Sequence, residues 1–152
     1  MIPAMDRYRT ERRKRSMECI IMTRLEEARE FFKADIFATR TTGIVIEEVS
    51  DGYSRCSLQV EEKHMAAHHH VMGGALFTMA DFAFAVAANP PGQTTVTATS
   101  NISFVSMPKD DRLVAECRQI KDGRRACYYE TRITDGLGNV VAVVTAMGMH
   151  MN

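Results

Sequence analysis

The sequence is short of the features that usually announce a function. Its four cysteines (Cys19, Cys56, Cys117, Cys127) form no CxxC pair and no zinc-ligand spacing, so neither a disulfide framework nor a zinc ribbon is indicated. No run approaches 18 consecutive apolar residues, which leaves no candidate membrane-spanning helix. Lys+Arg and Asp+Glu number 19 each, so no global field draws the chain to nucleic acid or to an anionic membrane. GxGxxG, the Walker loop, GxSxG and a Ser/His/Asp order are all missing. The N-terminus has no apolar stretch of the secretory kind, so reduced thiols in a cytoplasm are expected.

What is present is the composition of an ordinary globular domain: 152 residues, 45% apolar and 25% charged. Charge is uneven along it. Residues 1–16 carry six cations against Asp6 and Glu11, a net of +4, and the rest of the chain balances this at −4. We read residues 1–19 as a basic N-terminal arm, solvated or frayed, and 20–152 as one folded domain.

Periodicity places an amphipathic helix over 20–34, with Ile20, Ile21, Leu25, Ala28, Phe31 and Phe32 near helical spacing. Segments 44–50 and 53–60 flank Asp51-Gly52, a tight-hairpin signal. Residues 94–106 alternate Val96, Ala98, Ile102 and Phe104 with hydroxyl and amide side chains, so one face is expected to be buried. Strands over 112–120, 124–134 and 139–149 follow, separated by Asp122-Gly123 and Asp135-Gly136-Leu137-Gly138, which predicts an antiparallel meander. Cys117 and Cys127 fall in these strands as small core residues.

Residues 73–88 (GGALFTMADFAFAVAA) are apolar on nearly every side and stop at Asn89-Pro90-Pro91-Gly92. They predict a buried helix. The fold class is therefore α+β, with a curved antiparallel sheet wrapped around a long central helix and a second copy of the chain completing the cover. A flat sheet with the helix on one face is the competing arrangement.

Asp81 is out of place in that helix. A buried carboxylate costs several kcal/mol unless partnered, and burial raises its pKa, which suits a general base or nucleophile. The bland alternative is a structural acceptor at a subunit seam. Gly73-Gly74 opens the helix with backbone N–H groups clear of side-chain cover, at its positive end, where an oxyanion is stabilised. Gly73 and Asp81 lie eight residues apart, about 12 Å along a helix. One small group cannot meet both in a single chain, so a site shared across a two-fold interface is expected. His64, His68, His69 and His70 read as a solvated or pocket-lining loop, because adjacent histidines on extended backbone point to opposite faces and no carboxylate or cysteine completes a metal set.

The stretch from His70 through Gly73-Gly74 and Ala80-Asp81 to Asn89, with Ser100-Asn-Ile-Ser-Phe104 before a proline turn, resembles the hotdog-fold acyl-CoA thioesterases of the phenylacetic-acid-degradation type. The resemblance covers about residues 40–150. It implies a hotdog fold, a homodimer or homotetramer with sites at the interface, and hydrolysis of an acyl- or aryl-acyl-CoA thioester with no cofactor, the CoA thioester being the substrate. By position it implies Asp81 as the catalytic carboxylate, Gly73 as the backbone donor to the thioester oxygen, and Thr97 as a hydroxyl near the attacking water. Gly74, His70 and Asn89 would lie on the substrate side. Met72 stands where that family's pattern has histidine and Ala66 where it has asparagine, which leaves fewer polar anchors and keeps a non-catalytic acyl-CoA-binding module or sensor as the alternative. Lys121, Arg124 and Arg125 around a hairpin turn, with Lys109 nearby, could meet the phosphates of coenzyme A or simply be solvated.

Overall fold

A computed structural model describes residues 22–151. The basic arm read at 1–19, and with it Ile20 and Ile21, lies outside the described residues. Helix α1 spans Arg24–Phe32, shorter at both ends than the expected 20–34. It is started by a capping box: Thr23 accepts from the Glu26 N–H and the Glu26 carboxylate accepts from the Thr23 N–H. A π-helical turn (Phe37–Thr42) leads into β1 (Val45–Ser50) and β2 (Tyr53–Gln59), joined at Asp51-Gly52 as the dipeptide predicts. Helix α2 (Gly73–Ala88) has the bounds read from composition. Strands β3 (Thr95–Phe104), β4 (Arg112–Asp122), β5 (Ala126–Asp135) and β6 (Val140–His150) complete the chain.

All six strands form one antiparallel sheet in the order β1-β2-β4-β5-β6-β3. The expected meander holds for β4, β5 and β6 only. β3 precedes β4 in the chain but pairs with β6 at the far edge, because α2 runs beneath the sheet and delivers the chain there.

Helix α2 touches every strand, so the sheet is wrapped around it rather than laid flat. Four register shifts, in β1, β3, β4 and between β5 and β6, give the bends that this wrapping needs. The inward rows are continuous. Ser54, Cys56 and Leu58 of β2 oppose Cys117, Ala115 and Leu113 of β4, which oppose Thr131, Ile133 and Asp135 of β5; all are buried. Burial pushes the Cys56 and Cys117 thiols up to about 12; Cys117 and Cys127 are buried as their reading as core residues expects, and Cys56 joins them. The outward rows are charged: Arg55 opposes Glu116, which opposes Arg132, and Arg118 opposes Glu130.

Met79, Ala80, Ala83 and Phe84 of α2 are buried, and Phe82 is buried with its ring edge-on to Phe32 of α1 at 5.6 Å. At the closest approach β6 carries Gly148, where a Cβ would sit 2.7 Å from the Phe84 ring. The Ser54 hydroxyl donates to the Ala83 carbonyl at 2.6 Å and pins the helix to β2. Cover is nevertheless incomplete. Gly74, Thr78, Asp81 and Ala85 form a strip at helical spacing that stays outside the core.

Strand β3 corrects a second expectation. Its apolar alternation predicted one buried face, yet Val96 is 45% and Phe104 58% exposed. As an edge strand it reaches past the helix's cover. A bulge between Thr97 and Thr99 also breaks the alternation, so Thr95 and Thr97 face inward before it and Ser100, Ile102 and Phe104 after it.

The turn from β5 to β6 is organised by Asp135. Its carboxylate accepts from the backbone N–H groups of Lys109, Leu137 and Asn139 and from the Asn139 amide, at 2.8–3.2 Å. The Lys109 N–H, first among these donors, holds the carboxyl down at about 2. Its folded pKa lies below the unfolded value of about 3.9, so it stabilises the fold above that value and ceases to as pH falls through the folded pKa. Asp135→Asn should therefore lower the thermal midpoint at pH 7, with the gap to the parent closing between about pH 4 and pH 2. A constant gap across that range in thermal melts would contradict this account.

Candidate active site

The helix bearing Asp81 starts where a short loop is locked. His64 is buried; its Nδ1 accepts from the Glu61 N–H at 2.8 Å and its Nε2 lies 2.7 Å from the Thr42 carbonyl. An acceptor Nδ1 leaves the proton on Nε2, so this histidine is a neutral structural tie. Ala66 and His70 close a knuckle, Ala66 N–H to His70 carbonyl at 2.8 Å, in which His69 takes a left-handed φ of 57°. The His68 and His70 rings lie parallel, 6.4 Å apart. The Met72 N–H donates to the His64 carbonyl, and Met72 then serves as the helix N-cap with no side-chain hydrogen bond. The first-turn N–H groups of Gly73 and Gly74 thus have neither an intrahelical partner nor a side-chain cap, and no acidic residue occupies the first turn. The helix's positive end is left uncompensated.

Gly73 faces Phe104: a Cβ there would come within 2.8 Å of the ring. Around the pair lies a cavity of about 420 Å³, lined by His70, Val71, Leu76, Phe104, Val105, Met107 and their neighbours. The sequence reading has Phe104 only as an apolar strand residue, not as part of the site. Its place beside Gly73 depends on β3 pairing with β6, which no local signal reveals.

Asp81 occupies a second hollow, of about 390 Å³, lined by Thr78, Phe82 and Ala85 of α2 and by Ala34, Asp35, Ile36, Phe37 and Ala38. It is exposed in the single chain, not buried as the helix composition predicted. The reason is the narrow strip that the sheet leaves uncovered. Asp81 is nonetheless partnered: the Thr97 hydroxyl donates to its Oδ1 at 3.0 Å. The Thr78 hydroxyl, on the same face, is committed instead to the Gly74 carbonyl at 2.8 Å. Thr97 and Asp81, separated by 16 residues, are brought together by the inward turn of β3 before its bulge.

The other candidate residues fall into two groups. His70 lines the cavity at Gly73, with Met72 and Ala66 in the loop that precedes it. Asn89 is fully engaged elsewhere: its amide nitrogen donates to the Ala85 and Thr95 carbonyls and its oxygen accepts from the Thr95 N–H at 2.6 Å. It closes the C-terminal end of α2 and ties it to β3, two turns beyond Asp81. Lys121 and Arg124 are exposed at the β4–β5 hairpin, with no ion pair to an acid among the described residues.

The arrangement offers a partnered carboxylate in one hollow and free helix-terminal amides in another, the pair of elements that acyl transfer uses. The comparisons agree in kind. The thioesterase superfamily model matches residues 68–142. The acyl-coenzyme A thioesterase PaaI of Escherichia coli is 27% identical over 119 residues, 78% of this chain and 84% of that protein. A Deinococcus radiodurans protein named "Putative esterase" is 31% identical over 102 residues, 66% of this chain and 70% of its own. In fold, the E. coli PaaI structure superposes with a TM-score of 0.76 at 22% identity, covering 86% of this chain and 97% of that one. A Streptococcus pneumoniae protein described as a "Hypothetical Thioesterase Protein" and solved with coenzyme A gives 0.73 at 23% identity, covering 80% and 97%. No described helix is long and apolar enough to cross a membrane. The chain belongs to the thioesterase superfamily, as a thioester hydrolase of the hotdog-fold, PaaI-like family.

Proposed function

We propose that the protein hydrolyses an acyl- or aryl-acyl-CoA thioester to free acid and coenzyme A, with Asp81 as the general base. The observation that carries this reading is the Thr97–Asp81 hydrogen bond on the strip of α2 that the sheet leaves open. With Oδ1 held by Thr97, Oδ2 is the oxygen that takes a proton from water. That water attacks the thioester carbonyl carbon. The carbonyl oxygen becomes an oxyanion and is stabilised by the Gly73 N–H. The tetrahedral intermediate then breaks its C–S bond, and the coenzyme A thiolate recovers the proton from Asp81.

Gly73 and Asp81 of one chain line separate hollows, so the oxyanion donor comes from a second copy. Strand β3 supports this. It is a ten-residue edge strand with Val96, Phe104 and, just beyond it, Val105 and Met107 exposed. Such an edge invites pairing. Relatives support the substrate class: coenzyme A is present in the S. pneumoniae structure and acetyl-CoA in one from Streptococcus mutans. Alanine variants of the S. pneumoniae protein were solved at an aspartate and at a threonine sixteen residues later, the same separation as Asp81 and Thr97. Lys121 and Arg124 serve in this reading as exposed cations for the coenzyme's phosphates.

Asp81→Asn should reduce thiol release from an acyl-CoA panel by about a hundredfold or more, with the oligomer unchanged. Thr97→Ala should cost on the order of tenfold, the loss expected for one hydrogen bond to a charged group. Undiminished thiol release by Asp81→Asn would remove the carboxylate from the mechanism.

Gly73→Pro gives a sharper test. Proline is tolerated at the first helical position and lacks the N–H. The preceding Met72, at φ −65° and ψ 133°, already has the backbone that proline demands. The variant should fold, the exposed Phe104 ring moving aside for the new Cβ that would otherwise stand 2.8 Å from it, and lose hydrolysis. Mixing it with Asp81→Asn through a shared unfolding and refolding step should restore about a quarter of parental activity, since half of the dimers are mixed and each mixed dimer has one intact shared site. No recovery in a mixture shown by mass spectrometry to contain mixed dimers would place both groups in one chain's site.

A further inference from the structure

The open end of the sheet, next to Thr95, holds a side-chain cluster that the hydrolytic site does not use. Asp122 ends β4, and its register partner across the hairpin is Cys127 of β5. Cys127 in turn opposes Gly148 of β6, and His150 follows two residues later on the same face. The His150 N–H donates to the Arg125 carbonyl at 3.0 Å, which anchors that strand end to the hairpin. Gly148 makes the convergence possible, because a Cβ there would stand 2.9 Å from the Cys127 sulfur. One ligand atom from each of Asp122, Cys127 and His150 lies within 4.8 Å of the other two.

We propose that Asp122, Cys127 and His150 form a binding site for a divalent transition-metal ion of the zinc type, which clamps the ends of β4, β5 and β6. Thiolate, imidazole and carboxylate are the donors that zinc takes, and the thiol disfavours magnesium and calcium. The histidine is already aimed. Its Nε2 lies 2.8 Å from Asp122 Oδ1, while Nδ1 lies 2.9 Å from Thr95 Oγ1 and 3.2 Å from the Gln93 amide nitrogen. Once Nε2 is a ligand, Nδ1–H donates to the Thr95 oxygen, the usual kind of second partner for a ligating histidine, and the Gln93 amide has to turn its oxygen toward the ring. Asp122 has a 42% exposed side chain, so the ion can enter from solvent, whereas Cys127 is buried behind it.

The proton balance is simple. The ion displaces the thiol proton to solvent. The imidazole remains neutral with its proton moved to Nδ1, facing the Thr95 oxygen, and Asp122 exchanges its hydrogen bond with the ring for the metal. Thiolate and carboxylate together match the ion's two charges, and water fills the fourth position. Thr95, which holds the His150 ring, lies one inward step along β3 from Thr97, about 7 Å away, but the cluster includes neither Thr97 nor Asp81 nor Gly73, so loading is read by spectroscopy and melting rather than by turnover.

The test is titration of the reduced, full-length protein with Co(II). One equivalent should produce a thiolate-to-cobalt charge-transfer band that zinc then abolishes. Cys127→Ser should lose the band, whereas Cys19→Ser, Cys56→Ser and Cys117→Ser should keep it. Asp122→Asn and His150→Gln should each weaken cobalt binding by about tenfold or more. Zinc should raise the thermal midpoint of the parent but not of His150→Gln, an arm that stands even if Cys127→Ser does not fold. Absence of the band in the parent, or its survival in Cys127→Ser, would overturn the proposal. So would parental affinity in both Asp122→Asn and His150→Gln, or an equal zinc-induced shift in His150→Gln.

Discussion

Helix α2 has more apolar surface than a flat sheet can cover, and the rest of the architecture answers to that imbalance. Most of its side chains are small or apolar, and nine of its sixteen residues are buried, so the sheet must curve to reach them. Curvature is supplied by the register shifts, and it brings β6 so near the helix that residue 148 has to be glycine. The one strip that remains open carries the helix's only ionisable side chain. The composition that drives wrapping and the position of Asp81 are thus set by the same sixteen residues.

The elements whose signals are local were readable before any coordinates. The bounds of α2 follow from an unbroken apolar run closed by Asn89-Pro90-Pro91. The hairpins follow from Asp51-Gly52, Asp122-Gly123 and the Asp-Gly-Leu-Gly turn. The pairing of β3 with β6 was not readable, because adjacency in the sheet depends on where α2 delivers the chain. The exposure of Asp81 was missed for a related reason: periodicity gives the polarity of a helix face but not the width of the sheet that covers it. The bulge in β3 reverses which side chains face inward. It brings both Thr97 and Phe104 to the inner face, and nothing in a run of threonines and apolar residues marks its place. Asn89 shows what a local reading leaves out. A polar residue bordering a resembling segment was read toward substrate, whereas its three hydrogen bonds all go to backbone.

The two departures from the family pattern have a structural counterpart. With Met72 as N-cap, no side chain occupies the first-turn amides of α2. With Ala66 upstream, the loop is held by backbone pairing to His70 and by the buried His64 rather than by an amide side chain. The donors at the helix end are therefore bare, and their orientation comes from the helix itself and from the packing of Phe104 against Gly73. Backbone donors need no rotamer to be frozen, so the absence of the two polar side chains removes anchors for substrate without dismantling the proposed oxyanion site.

An exposed carboxylate is a modest base, because water solvates its charge and screens it from the reacting group. In the proposed assembly this weakness is removed by the same event that delivers the Gly73 amide. A second copy seated against β3 would exclude water from the hollow at Asp81 and strengthen every charge interaction within it. Thr97 lies on that strand, so it joins the pairing edge to the carboxylate by a single hydrogen bond. Catalytic power and subunit association would then be two consequences of one contact, and a lone chain would keep the geometry of its base while lacking the low-dielectric setting that makes the base effective.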